Sequence, residues 1–159
     1  MQFVYEIRPF HRSEADSVAH WIQSADDLWC LTGQRETAVT ANDVAAWPME
    51  SNFAFTLRYY GDLIAYGEIV EDDVEGDAEI QRLVVAPDMR GAGHGKAMLE
   101  RLCAFLEEAR PWPHVWVRAP RTNPAVERCA KSAGFEEQPE VSGPRFVWLK
   151  KQLRKPAAS

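Results

Sequence analysis

The sequence predicts an α/β protein: one mixed sheet with helices packed on it. Two observations carry this. Apolar segments of β character cluster in the middle of the chain, the first two joined by a tight glycine turn, while helical periodicity appears before and after them. Late in the chain, strands alternate with helices, the pattern of crossover connections. With 159 residues and 46% hydrophobic content, one domain can bury a sizeable core.

The elements follow in order. Residues 3–8 read as an opening strand stopped by Pro9. Ser13-Glu14-Ala15-Asp16 fits a capping box, and Ala15, Val18, Ala19 and Ile22 follow at helical spacing. Residues 27–33 read as a loop or short turn carrying Leu28 and Trp29. A second box, Thr40-Ala41-Asn42-Asp43, opens a short helix that Pro48 stops. Residues 53–60 and 63–70 form a hairpin about a Gly61-Asp62 turn. Residues 71–77 hold five carboxylates and read as a solvated connection to a third strand, 78–86, ended by Pro87. Met98, Leu99, Leu102, Phe105 and Leu106 mark a helix over about 93–109; a strand follows at 114–119. Asn123-Pro124 opens a helix that Gly134 closes, and 146–149 is the last strand. Residues 1–150 form the domain; 151–159 read as a basic, frayed tail.

Composition narrows the function classes. The net charge of −6 weighs against nucleic acid, which calls for an electropositive face. Three cysteines, Cys30, Cys103 and Cys129, show no pairing or metal-ligand spacing, and the four histidines none either; no metal is expected, and the setting is a reduced cytoplasmic one. No secretory signal is read at the start. No apolar run approaches the roughly 20 residues that span a bilayer, so no membrane partner is expected.

The most informative segment runs from Leu83 to Ala97, where a buried strand enters a glycine-rich turn that opens a helix. Free amides at such a start converge on an anion, and glycines let it approach the backbone. Arg90 and Lys96 flank the turn with positive charge, suiting phosphate or pyrophosphate. A Walker A loop is excluded: Arg90 stands where its first glycine belongs, and Ala97 replaces the hydroxyl. A dinucleotide fingerprint fails at Lys96, where its third glycine belongs.

Arg90-Gly91-Ala92-Gly93-His94-Gly95 resembles the pyrophosphate motif of the GNAT (N-acetyltransferase) superfamily, Arg/Gln-x-x-Gly-x-Gly/Ala. The preceding 79–87, ending Val85-Ala86-Pro87, is similar to the family's central strand. The later 123–135 is similar to its helix from Asn to Gly-Phe. The front portion, with Trp21, Trp29 and Gly33, is similar to small bacterial members near the ribosomal-protein acetyltransferases. The resemblance implies a mostly antiparallel central sheet with helices on both faces. It also implies an acetyl-CoA-dependent transfer to a primary amine, on a small molecule or a protein amino terminus, by direct attack in a ternary complex.

By this resemblance, backbone groups of Leu83-Val84-Val85, Leu83 and Val85 above all, would hold the pantetheine arm and acetyl carbonyl. Arg90, Gly91, Ala92, Gly93, His94, Gly95 and Lys96 would take the pyrophosphate, and Asn123 the pantetheine arm. Glu79 is the candidate general base, sharing strand parity with Gln81, Leu83 and Val85; Glu68 is the alternative. Arg118 stands where another branch of the family carries a glutamate, and Ala130 where it commonly carries a proton-donating tyrosine. The general acid therefore stays open, Cys129 reading as a packing residue. Trp21, Trp29 and Trp47 lie where the family builds its acceptor pocket, and residues 71–77 would attract cationic acceptors such as polyamines or aminoglycosides. A non-catalytic acyl-CoA-binding domain is the second reading, motivated by Ala130. Oligomeric state stays open, a homodimer being compatible with the resemblance.

Overall fold

The structure, a computed structural model, describes residues 4–23 and 39–154. Strand β1 (Tyr5–Pro9) leads through a 3-10 turn (Arg12–Glu14) into α1 (Ala15–Trp21), and α2 (Ala41–Ala46) follows. Strands β2 (Phe53–Tyr59), β3 (Asp62–Asp72) and β4 (Asp77–Val85) are consecutive. Helix α3 (His94–Ala109), β5 (His114–Pro120), α4 (Pro124–Ser132), β6 (Glu136–Glu137) and β7 (Phe146–Gln152) complete the described residues. They build one sheet of seven strands in the order β1-β2-β3-β4-β5-β7-β6. Only β4 and β5 are parallel; every other neighbouring pair is antiparallel.

Two cores flank the sheet. Ile80, Leu83 and Val85 of β4 pack with Leu99, Leu102 and Leu106 of α3 and Val126 and Ala130 of α4. On the other face, Tyr66, Val84 and Ala86 pack with Val18 and Trp21 of α1 and with Val44 and Trp47. Leu102 and Leu106 are fully buried, the kind of position where truncation to Ala costs about 2–5 kcal/mol.

The local expectations are met with specific corrections. The Thr40–Asp43 box forms: Thr40 Oγ1 accepts from the Asp43 amide (3.2 Å) and Asp43 Oδ2 from the Thr40 amide (2.8 Å). The first box opens two residues earlier than expected. His11, in extended conformation, is the cap, and its amide donates to Glu14 Oε1 at 2.7 Å. Ile22 is the half-buried C-cap of α1, and Trp21 takes the buried place instead. The hairpin turn is Tyr60-Gly61, with φ of 48° and 87°; Asp62 already pairs with Tyr59. Such a two-residue turn needs positive φ at both positions, and the glycine supplies the second.

Strand β7 continues to Gln152, past the boundary drawn at 150. Leu153 packs on the α3-side core, and Arg154 donates to the carbonyls of Leu106 (3.0 Å) and Arg110 (2.6 Å), closing the end of α3. A basic side chain satisfying the last carbonyls of a helix is favourable there. The expected loop over 27–33, with Trp29, and residues 155–159 lie outside the described residues.

One irregularity sets the geometry of the site. The register between β3 and β4 shifts across Gly67, and Arg82 adopts a φ of 48°. This bulge reverses the alternation of β4, because it places one extra residue opposite its partner. Ala78, Ile80, Leu83 and Val85 all face α3, so Glu79 and Gln81 face the α1 side with Val84 and Ala86. The parity expected for Glu79 with Leu83 and Val85 is therefore wrong: Glu79 lies on the opposite face from them. Gly67 accommodates the bulge, since a Cβ there would sit 3.0 Å from Leu83 Cδ1 and 3.2 Å from Met98 Cε.

Candidate functional site

Beyond Ile80 and Val117 strands β4 and β5 stop pairing, so the sheet splays toward the ends of both strands. The Ala86 amide donates to the Ile64 carbonyl at 2.8 Å, so alternation turns the backbone groups of Val85 toward the β5 edge. A cleft of about 650 Å³ opens at this end, lined by Val85, the 89–96 turn, Asn123 and one face of α4. Gly91 and Gly93 carry φ of 80° and 86°, values that L-residues rarely adopt, and a Cβ at either would meet nothing within 4 Å. Gly93 caps α3, whose first backbone bond is Ala97 N–H to Gly93 O at 3.1 Å. The amides of His94, Gly95 and Lys96 therefore precede the helical ladder and share the positive end of its dipole.

The side chains of the turn divide their work. Arg90 braces it: Nε donates to the Val85 carbonyl at 3.0 Å and Nη2 to the Trp21 carbonyl at 2.9 Å. His94 turns its ring inward, with Nδ1 2.7 Å from Tyr5 Oη and the ring packed on Tyr59, so only its backbone faces the cleft. Lys96 stays half-exposed, 3.9 Å from Glu100. Leu83 and Val84 bury their side chains in opposite cores; the same alternation turns the backbone of Val84 to Tyr66 of β3, away from the cleft, and Ala92 lies outside the cleft lining. Asn123 stands at the cap of α4 yet makes no side-chain capping bond; it lines the cleft instead.

Sequence reasoning missed part of α4. Ala125, Arg128, Cys129 and Ser132 all line the cleft, and their spacing of three, four and seven residues was the available signal. Cys129, read as a packing residue, thus borders the cleft, and burial pushes its thiol up to about 11 despite Lys96 nearby. Ala130 is fully buried in the core.

The two candidate carboxylates fall in different surroundings, and neither lines this cleft. Glu68 is sealed inside the α1-side core at 1% exposure. Tyr66 Oη donates to its Oε2 at 2.6 Å and Arg82 Nη1 lies 3.4 Å from its Oε1. Arg82 reaches Glu50 more closely, at 2.5 Å, and rests over the Trp47 ring. One guanidinium thus serves two carboxylates. Burial pushes Glu68 up to about 7, while Tyr66 and Arg82 pull the other way.

Across roughly pH 4.5 to 7 the folded protein therefore holds a proton on Glu68 that the unfolded chain has released, so stability falls as pH rises through that window. Glu68→Gln keeps the shape and removes the titration. Urea unfolding from pH 5 to 8 should show wild type losing stability relative to the variant, by about 3 kcal/mol at most. Parallel pH profiles would refute this.

Glu79 borders a second cleft, of about 600 Å³, on the open sheet face between the β3–β4 hairpin and the β5 and β7 strands. Its Oε1 is shielded from solvent and has no hydrogen-bond partner among the described residues. Burial raises its pKa above the usual carboxylate range, Gln81 and Arg118 oppose this, and Asp77 adds to it. The hairpin is only partly the solvated connection expected. Glu71 accepts from Arg110 Nε (2.6 Å) and from the Trp112 indole, Asp72 from the amides of Val74 and Glu75 (3.0 Å each), and Asp77 from Trp116 Nε1 (2.7 Å).

Among the described residues no group of three His, Cys, Asp or Glu side chains is placed to hold a metal, and no helix is long and apolar enough to cross a membrane.

A sequence model described as the acetyltransferase (GNAT) family matches residues 16–135. No curated protein matches the chain by sequence. Among solved structures, the chain is similar to AAC(6')-Ib in complex with ribostamycin and coenzyme A, at 18% identity over 94% of each chain and a TM-score of 0.78. It is also similar to yncA from Salmonella typhimurium with its cofactor acetyl-CoA, at 18% identity over 98% of each chain and a TM-score of 0.72. A spermidine N-acetyltransferase from Vibrio cholerae, in complex with CoA and spermine, matches at 14% identity with a TM-score of 0.71, over 92% of this chain and 93% of that one. At these identities the likeness is one of fold.

Proposed function

The chain belongs to the acetyltransferase (GNAT) family, and on that premise we propose that it transfers acetyl from acetyl-CoA to a primary amine by direct attack in a ternary complex. The observation that carries this reading is the cationic cleft on the glycine turn where β4 and β5 splay; a separate acidic cleft lies beside Glu79 at the β3–β4 hairpin.

The donor cleft fits coenzyme A by its own chemistry. The amides of His94, Gly95 and Lys96 at the α3 start, with Lys96 and Arg128, would hold the pyrophosphate. Gly91 and Gly93 leave space where a Cβ would stand. Arg90 holds the turn in register through Val85 and Trp21. Because the Val85 carbonyl is occupied by Arg90, the Val85 amide is that residue's contribution to the thioester arm, beside Leu83 and Asn123, while the backbone of Val84 is paired with β3. Bound acetyl-CoA supplies an activated thioester carbon. Glu79 takes the proton released as the amine forms its bond to that carbon and the carbon–sulfur bond breaks. Sulfur leaves with the electron pair and is protonated by water, since Ala130 offers no donor.

Thiol release from acetyl-CoA across a panel of primary amines tests the reading. Amine-dependent release is the expected result. Tight coenzyme A binding without turnover of any amine would replace the enzyme with a non-catalytic acyl-CoA-binding domain.

A further inference from the structure

Among the described residues only Tyr60 and Arg82 carry a side chain at positive φ. Tyr60 sits in a hairpin turn, which itself calls for that conformation. Arg82 lies within β4, where an L-residue keeps such a φ only if its surroundings hold it there. Those surroundings are polar and largely buried, Arg82 itself being 6% exposed. On β3, Tyr66 and Glu68 flank Gly67 at the register shift, and Tyr66 Oη donates to Glu68 Oε2 at 2.6 Å. Arg82 Nη1 lies 3.4 Å from Glu68 Oε1, so one buried carboxylate ties the two strands together at the irregular step. Arg82 Nη2 donates to Glu50 Oε2 at 2.5 Å, and the guanidinium rests 5.0 Å from the centroid of Trp47. The rigid fork of arginine serves two carboxylates at once, which a lysine ammonium on a flexible stem is not pre-organised to do. Arg82 does not line the donor cleft, but Leu83 follows it directly, and Val85, two residues further, lines the cleft.

We propose that Arg82 is a positioning residue for the donor: clamped between Glu68 and Glu50, it holds the bulge that turns the backbone of Leu83 and Val85 toward the thioester arm of acetyl-CoA. This rests on the acetyl-CoA reading above and adds a residue, outside the cleft, on which the arm depends and the pyrophosphate does not. The free amides at the start of α3 are held separately, by the helix itself and by His94 against Tyr5 and Tyr59.

Arg82→Gly is the decisive variant, since glycine accepts the positive φ and only the clamp is removed. Calorimetric titration with acetyl-CoA and with 3′-phospho-ADP, which lacks the arm, separates the two halves of the donor. Arg82→Gly should weaken acetyl-CoA binding at least about tenfold and leave 3′-phospho-ADP within about twofold of wild type, with Arg82→Lys in between. Unchanged acetyl-CoA affinity would overturn the clamp, because backbone freedom alone would then suffice. An equal loss for both ligands would overturn it too, as a general loss of structure. Should Arg82→Gly fail to fold, Glu50→Gln decides: that side chain is 65% exposed, so the fold tolerates its change. The same split, of about threefold, is expected there, and wild-type affinity for both ligands refutes the proposal. Wild type that binds neither ligand removes the acetyl-CoA reading itself, and the role of Arg82 with it.

Discussion

Glu79→Gln lowers kcat by two to four orders of magnitude and leaves coenzyme A affinity and thermal unfolding near wild type. The amide fills the same volume, so the packing of β4 against Val70 of β3 and Trp116 of β5 survives. What disappears is the group proposed to receive the amine proton. Burial holds Glu79 above the usual carboxylate range, and a general base works in its ionised form. In wild type, kcat/KM therefore rises with pH through this elevated pKa, and the variant lacks that limb. Steady-state kinetics from pH 5 to 9 on both proteins provide the check. A variant within threefold of wild type, or one that keeps the limb, removes Glu79 from the chemistry. Glu68→Gln supplies the contrast: closed off behind Tyr66 and Arg82, Glu68 should shift stability with pH far more than it shifts turnover.

Gly93→Glu should weaken coenzyme A binding at least a hundredfold. The position holds a φ of 86° at the cap of α3, where the first free amides of the helix converge. A side chain meets no steric obstacle there, since nothing lies within 4 Å of a Cβ, so a carboxylate would project into the space meant for an anion. Two controls separate charge from backbone strain. Gly93→Ala carries only the left-handed penalty, on the order of 1–2 kcal/mol, and should cost far less affinity. S-acetylpantetheine, which lacks the pyrophosphate, should bind Gly93→Glu and wild type alike. Calorimetry with both ligands reads the difference, and wild-type coenzyme A affinity in the glutamate variant would show that the turn does not hold the pyrophosphate.

Much of this was legible in one dimension because it depends on local rules. Helix α3 follows from the spacing of Met98, Leu99, Leu102 and Leu106, and its start from a glycine that tolerates positive φ. The Thr40–Asp43 box is a contact across three residues, as is the closure of α4 by Gly134 at φ 95°. Misreadings of one or two residues arose at His11, whose ring takes the capping place that the rule gives to Ser or Thr, and at Tyr60-Gly61, where a neighbouring pair fits the same turn. The cleft-lining face of α4 has a helical period as well, but Arg128, Cys129 and Ser132 are too mixed in chemistry to mark a face without its partner across the gap.

The amino-acid sequence by itself determined the order of the elements, the glycine turn with its convergent amides, and the family. Each is encoded by residues close together in the chain, where sterics and hydrogen bonding act over one or two turns. Tertiary structure decided which face of the sheet each candidate carboxylate occupies. That choice hangs on the bulge at Arg82, which reverses the alternation of β4, and strict alternation cannot anticipate it because the extra residue exists only relative to β3. Pairing across the sheet likewise sealed Glu68 in a core. It also divided the hairpin carboxylates between internal bonds and an open cleft, because burial and partners come from strands distant in sequence.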